Sequence, residues 1–174
     1  MKNTIIFLFL VALTTTLNAQ IQKGSALLGG TVGINNISEE GSNGTVINVS
    51  PNVGFFLSNR FVLGFGLDFK HDTEEEVTSL ALLPFARVYF SGSGMSRFFA
   101  QLDVGTEIRD FDELEGAPPL SAGLGIGADF FLNDNVAIEA LLGYRRVQDF
   151  EADFGVNIIG LNFGVSAFIG GGKE

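Results

Sequence analysis

The stretch from Arg60 to Lys70 limits the fold of this chain most strongly, because its side chains alternate in character with a period of two. Large apolar residues hold every second position, namely Phe61, Leu63, Phe65, Leu67 and Phe69. The positions between them hold small and then charged residues, namely Val62, Gly64, Gly66, Asp68 and Lys70. Successive side chains of a β-strand point to opposite faces, whereas a helix would scatter the apolar set around its circumference. The stretch therefore predicts a strand with one wholly apolar face.

The same alternation recurs along the chain and predicts eight strands in all. The predicted strands are Gly24–Asn35, Thr45–Leu57, Arg60–Lys70, Val77–Phe90, Arg97–Arg109, Leu120–Leu132, Val136–Val147 and Phe154–Ile169. Each is long enough to cross a bilayer, which takes roughly 9–11 residues in a tilted strand. Short turns alternate with longer polar loops, as is typical of an antiparallel up-and-down transmembrane β-barrel. At Pro51 and Pro84 we expect a bulge or a local irregularity, because proline cannot donate a hydrogen bond to a ladder.

The N-terminal segment predicts a cleaved signal peptide that takes no part in the fold. Lys2 supplies a positive charge, Ile5–Leu13 form an apolar run, and small residues lead to a cleavage site after Ala19. The alternative is a membrane anchor, but a spanning helix needs roughly 20 apolar residues and this run is shorter. We therefore expect a signal peptide at residues 1–19 and one barrel domain at residues 20–174.

The composition favours a membrane barrel over a soluble one. The face opposite the apolar one is dominated by Gly, Ser and Asn, and Lys70 is the only lysine in a predicted strand. A soluble barrel would present many Lys and Glu to water there, whereas small polar residues suit the narrow interior of an eight-stranded barrel. The formal net charge of −10 argues against nucleic acid as a partner, and the absence of cysteine excludes a disulfide framework. The alternative is a soluble exported barrel that binds lipid in an apolar lumen.

In this organisation the chain resembles the OmpA/OmpX-like family of small eight-stranded outer-membrane barrels, which are porin-family-type proteins. The resemblance extends over the chain from residue 20 onward. The last predicted strand is similar to the assembly signal of such proteins, with Gly160, Phe163 and Val165 at the glycine and hydrophobic positions. It differs in having Ile158 where a polar residue is usual, and in continuing past the strand as Gly170–Glu174. The resemblance implies an integral protein of the cell outer membrane, with both termini in the periplasm and the longer loops outside.

Charged residues of both signs fall on the predicted inward face. They are Asp68, Lys70, Arg87, Asp103, Glu107, Arg109, Asp129, Glu139 and Arg145. Charges taken out of water need partners, so we expect these residues to fill the lumen as a network of ion pairs. An eight-stranded barrel has an interior only wide enough for side chains, which favours a plugged lumen. The alternative is a gate whose ion pairs rearrange to open a narrow channel for ions or small solutes.

Most of the acidic residues fall in four predicted outer loops. These loops are Asn36–Asn43, His71–Glu76, Asp110–Pro119 and Gln148–Asp153. A solvated crown of charge is the simplest interpretation. The segments that begin at Asp110 and Asp149 also place carboxylates at alternate positions, which suits divalent cations or a basic partner, although neither matches an EF-hand loop. Beyond these loops we expect membrane lipid as the partner of a monomeric barrel, with no resident cofactor or metal.

Catalysis receives little support from the sequence. The only histidine, His71, lies beside Asp72 and eight residues before Ser79. A histidine–carboxylate pair near a hydroxyl can serve nucleophilic chemistry, but no serine here lies in a recognisable nucleophile motif. We therefore predict a non-enzymatic outer-membrane β-barrel with a plugged polar lumen and acidic surface loops, in a structural, adhesive or partner-binding role.

Overall fold

A computed structural model describes residues 22–39, 42–71, 78–91, 95–109, 118–149 and 154–170. Within these ranges the side chains of residues 37–39, 42–44, 71, 78, 91, 107–109 and 154 are not among those described. The predicted signal peptide lies outside the described residues.

The described chain forms one closed sheet of eight strands. The strands are β1 (Ala26–Glu39), β2 (Ser42–Phe56), β3 (Phe61–His71), β4 (Thr78–Ser91), β5 (Ser96–Arg109), β6 (Leu120–Phe131), β7 (Val136–Asp149) and β8 (Phe154–Ile169). Each strand pairs antiparallel with its sequence neighbours, and β1 pairs with β8 to close the barrel. The predicted antiparallel up-and-down barrel is confirmed. In the part of the chain that the structure describes, no helix has the length and apolarity to cross a membrane.

The first hairpin is longer than the sequence predicted. We expected a loop at Asn36–Asn43, but β1 continues to Glu39 and β2 begins at Ser42, with Glu39 paired to Ser42. The alternation of apolar residues ends near Ile37 in this region. Ladder pairing is made by backbone groups and continues through polar residues once the two strands are in register, so the hydropathy pattern underestimated the hairpin.

The two strand prolines interrupt pairing without shifting the register. Between β2 and β3 the same register holds on both sides of Pro51, and between β4 and β5 it holds on both sides of Pro84. In each case the proline is paired with one neighbouring strand and unpaired with the other. Proline lacks the N–H that would donate to that second strand. The predicted irregularities are therefore present, but a bulge is not. The register shift in this part of the sheet lies instead between Tyr89 and Ser91.

The wall of the barrel is apolar outside and carries buried charged side chains inside. On the outer face Ile34, Leu124 and Ile126 are 60–65% exposed. On the inner face Asp129 and Glu139 are at most 1% exposed. A contiguous apolar surface of this extent is unfavourable in water and is what the hydrocarbon core of a bilayer requires. The wall is therefore built to face lipid, and the charged side chains described on the strands lie in the lumen, with the exception of Arg146.

Candidate functional site

The lumen is closed at one end by an apolar cluster. We call this end, which carries the short turns at 57–60 and 132–135, the turn end, and the opposite end the loop end. The aromatic cluster consists of Leu27, Phe56, Val62, Phe85, Tyr89, Phe99, Ala137 and Phe168, with Phe131 and Leu141 packed against it. The rings of Phe56 and Tyr89 stack with centroids 5.8 Å apart, and those of Phe131 and Phe168 lie 5.1 Å apart. The inward face at the turn end is therefore aromatic, where we had expected a polar lumen throughout.

Glycines on neighbouring strands make room for two of these rings. The ring of Phe85 lies over Gly64 of β3, and the ring of Phe99 lies over Gly127 of β6, each close enough that a Cβ on the glycine would collide with it. The glycines of the inward face thus allow large rings to turn sideways and fill the bore. They explain how an interior of this size accommodates so many aromatic residues.

Above the aromatic cluster, Arg87 crosses the lumen to Glu139. Its Nη1 and Nη2 donate to Glu139 Oε2 and Oε1 at 2.8 and 2.9 Å, which is a bidentate pair. Its Nε and Nη2 also donate to Gln101 Oε1 at 2.9 and 2.8 Å. The guanidinium carbon lies 3.9 Å from the centroid of Phe99, so the cation also stacks on the aromatic cluster. Because Arg87 lies on β4 and Glu139 on β7, the pair joins opposite walls.

Two hydroxyl groups complete this first network. The Tyr89 hydroxyl donates to Asp129 Oδ2 at 2.7 Å, and the Ser166 hydroxyl donates to Glu139 Oε2 at 2.8 Å. Asp129 and Glu139 are directly opposite in the ladder between β6 and β7. The hydroxyl groups therefore help to satisfy two neighbouring buried carboxylates, of which Glu139 also binds Arg87.

A second network surrounds Arg145 nearer the loop end. Its Nη1 donates to Asp68 Oδ2 at 2.8 Å, and its Nη2 lies 3.0 Å from Asp103 Oδ1. Asp68 Oδ1 also accepts from Asn48 at 2.7 Å and from Ser50 at 2.6 Å. This network ties β7 to β3 and β5 across the bore, so the lumen is bridged at two levels.

The predicted lumen residues divide into these two networks. Arg87, Asp129 and Glu139 belong to the first, and Asp68, Asp103 and Arg145 belong to the second. Lys70 is buried and acts electrostatically on Asp68. The side chains of Glu107 and Arg109 lie outside those that the structure describes.

Sequence reasoning missed the neutral partners of these charges. The missed side chains are Asn48, Ser50, Tyr89, Gln101 and Ser166, together with Asn35, which donates to Asn48. All of them lie at inward positions of the alternation, so parity alone could have identified them as candidates. Their role could not be inferred because serine, asparagine and glutamine also occur at solvated positions.

A polar cavity of about 90 Å³ touches both networks. Its lining includes Asn35, Asn48, Asp68, Gln101, Glu139 and Arg145. A polar space of this size holds several water molecules and is far smaller than a pocket for a drug-sized ligand. Among the described residues, acidic and histidine side chains form no group of three that could hold a metal ion.

Comparison with known proteins identifies the architecture. No family model matches the chain. No curated protein sequence matches it either. Among solved structures, Neisserial surface protein A (NspA) superposes with a TM-score of 0.72 at 12% identity, covering 83% of this chain and 99% of that one. The fold is that of a small outer-membrane β-barrel.

Two further structures show how widely this barrel is used. Ail, the attachment invasion locus protein of Yersinia pestis, has a TM-score of 0.57 at 15% identity over 84% of this chain and 99% of its own. The outer-membrane enzyme PagL has a TM-score of 0.59 at 12% identity over 79% of this chain and 97% of its own. At these identities the likeness establishes the outer-membrane barrel fold, and the function has to be argued from the residues of this chain.

Proposed function

We propose that this protein is a non-enzymatic, integral barrel of the outer membrane whose lumen is closed and whose acidic outer loops contact partners. The observation that carries the proposal is the bidentate pair between Arg87 and Glu139, which crosses the bore directly above the aromatic cluster. A closed lumen leaves the outer ends of the strands and their loops as the surface available for function.

The closure is supported at three successive levels of the bore. The aromatic cluster fills the turn end, the Arg87 network lies above it, and the Arg145 network lies above that. An ion crossing the barrel would have to displace buried rings and break hydrogen-bonded ion pairs, each of which is costly to disrupt in a medium of low dielectric constant. The cavity that touches both networks does not remove either barrier.

The closed lumen predicts a silent barrel in a planar bilayer. We expect the refolded protein to show no steady current, under conditions in which a porin inserted as a positive control conducts. Arg60→Gln, an exposed change at the turn end, serves as the matched control and is also expected to be silent. Steady openings that change on neutralising Glu139 would contradict closure and favour the narrow channel, for which the polar cavity is the supporting observation.

The loops are proposed as the contact surface because they concentrate acidic charge. The acids of the predicted loops, of which Glu39 and Asp149 are the last residues of β1 and β7, are Glu39, Glu40, Asp72, Glu74, Glu75, Glu76, Asp110, Asp112, Glu113, Glu115, Asp149, Glu151 and Asp153. Of these side chains only that of Asp149 lies within the described part of the chain. Ail was crystallised with the heparin analogue sucrose octasulfate, a polyanion. The acidic loops here favour the opposite charge, namely divalent cations or a basic partner.

The absence of catalysis is a proposal that needs its own test, since PagL shows that this fold can carry an enzyme. We expect outer-membrane lipids incubated with the purified protein to be recovered unchanged by mass spectrometry. A lipid product formed by the wild type and lost in His71→Ala would overturn this part of the proposal. In that case, Asp72→Asn would show whether His71 acts together with the Asp72 carboxylate or acts alone.

A further inference from the structure

Arg146 is exceptional on the outer face of the barrel. It lies on β7 at an outward position, two residues after Tyr144, and its side chain is exposed. Among the described side chains at outward strand positions, it is the only charged one. Toward the turn end this face is apolar, since Ile159 pairs with Tyr144 and Leu142 lies four residues before Arg146, and both are at least 50% exposed. A guanidinium at the centre of a lipid-facing wall would be costly. The interpretation of Arg146 therefore depends on its depth along the strand.

The position of Arg146 along β7 places it at the boundary of the apolar band. Ten residues separate it from Val136, where β7 begins at the turn end. At roughly 3.4 Å per residue and a tilt of roughly 40°, this spacing corresponds to about 25 Å along the barrel axis. The apolar band of outer-membrane barrels is also about 25 Å tall. Arg146 therefore lies at the level of the lipid headgroups on the loop side.

The guanidinium is held in place against the wall. Its Nη1 donates to Asn157 Oδ1 at 3.0 Å, and its Nη2 donates to Gln148 Oε1 at 2.9 Å. The Tyr144 hydroxyl donates to the same oxygen of Asn157 at 2.8 Å. Gly155 provides the space, since a Cβ there would lie 2.7 Å from Arg146 Nη2. The cation is thus fixed by two neighbours and not left to extend freely.

This arrangement leaves donors for an anion. A guanidinium has five N–H donors, and these two contacts use two of them. The oxygen of Asn157 is occupied by Tyr144 and Arg146, which leaves its amide nitrogen as a further donor beside the arginine. Fixed, convergent donors around an arginine match the oxygens of a phosphate group.

We propose that Arg146, with Asn157 and Tyr144, binds the phosphate group of a lipid in the outer leaflet. A lipid is favoured over free phosphate because Leu142 and Ile159, on the same face toward the turn end, are exposed apolar side chains that an acyl chain can cover. Tyrosine is also typical of the interface between hydrocarbon and headgroups. This inference rests on the proposed membrane placement, with the loop end in the outer leaflet.

The test measures retention of lipid A, a phosphorylated glycolipid, by native mass spectrometry of the full protein released from mixed micelles. We expect Arg146→Gln to bind lipid A about tenfold more weakly than the wild type, which corresponds to the loss of a charge-assisted contact. Arg146→Lys keeps the charge without the planar fork and is expected to be intermediate. Arg60→Gln, at the turn end, is the matched control and should bind like the wild type.

The outcomes separate this inference from the proposed function. Equal binding by Arg146→Gln, equal retention of dephosphorylated lipid A, or displacement by inorganic phosphate alone would each overturn the lipid site. A wild-type protein that inserts into vesicles but does not retain lipid A would overturn the lipid site and leave the membrane barrel intact. A wild-type protein that fails to insert would overturn the membrane placement and the lipid site together.

Discussion

Replacing Arg87 with alanine is expected to lower the free energy of unfolding by about 3–5 kcal/mol, because the change strands a buried carboxylate without its cation. Arg87 is 1% exposed and holds Glu139, which is also 1% exposed, through a bidentate pair. It also donates to Gln101 and stacks on Phe99, so the cost includes lost hydrogen bonds and packing. Urea unfolding in detergent, followed by far-ultraviolet circular dichroism, measures the effect, since the chain has no tryptophan.

Two further variants make this prediction specific to the ion pair. Arg60→Ala removes an exposed arginine at the turn end and is expected to change stability by less than about 0.5 kcal/mol. Replacing both partners, Arg87 with Met and Glu139 with Leu, is expected to recover part of the loss, because Glu139 is no longer stranded while Asp129 stays buried against the Tyr89 hydroxyl. If Arg87→Ala unfolds at the same urea concentration as Arg60→Ala, the Arg87 network does not hold the lumen together.

A charge on the middle of the outer wall is expected to have the second-largest effect. Ile126→Arg should lower the free energy of unfolding in lipid vesicles by about 2–4 kcal/mol, the cost of arginine at the bilayer midplane. Ile126 is 61% exposed and lies near the centre of β6. The variant is measured by urea titration of the protein in vesicles.

Leu132→Arg is the matched control for depth. Leu132 is 66% exposed, as is typical of the outer face, but it lies in the turn that follows β6. Arginine at this level should cost no more than about 1 kcal/mol, because its head can reach the interface. Equal and small effects of the two substitutions would contradict a lipid-facing wall and would favour a barrel surrounded by water.

The alternation of residue types was sufficient to predict the fold. It separated outward Leu124 from inward Gly123 on β6, and outward Leu142 from inward Glu139 on β7. The two faces of such a strand differ in polarity, so its residue types alternate with a period of two. The number and order of the strands could therefore be predicted from this alternation. The first hairpin was underestimated because polar residues beyond the apolar band still pair through their backbones.

The contacts across the lumen could not be predicted in the same way. Arg87 and Glu139 lie on β4 and β7, and which residues of opposite walls meet depends on the tilt and stagger of all the strands between them. The alternation shows that a side chain points inward, but it does not show at which level along the barrel axis the side chain lies. The partners of Arg145 on β3 and β5 were hidden for the same reason.

Two other features had a signal in the sequence that the charged residues obscured. Phe56, Phe99 and Phe168 fall at inward positions near the turns, and extending the alternation from Tyr144 places Arg146 on the outer face. An interpretation that equated inward with polar and outward with apolar overlooked both. Residues that break the binary pattern at the ends of strands therefore carry much of the information about closure and about the lipid boundary.

The most direct test of a lipid-facing wall uses the absence of cysteine in the chain. Single cysteines at Leu124, Leu161 and Asn133 would each be labelled with a nitroxide in protein reconstituted into vesicles. Collision rates with oxygen, which concentrates in lipid, and with a water-soluble nickel chelate would then be measured by electron paramagnetic resonance. We predict that oxygen dominates at Leu124 and Leu161 and that the nickel chelate dominates at Asn133. Ready access of the nickel chelate to all three positions would contradict a membrane barrel.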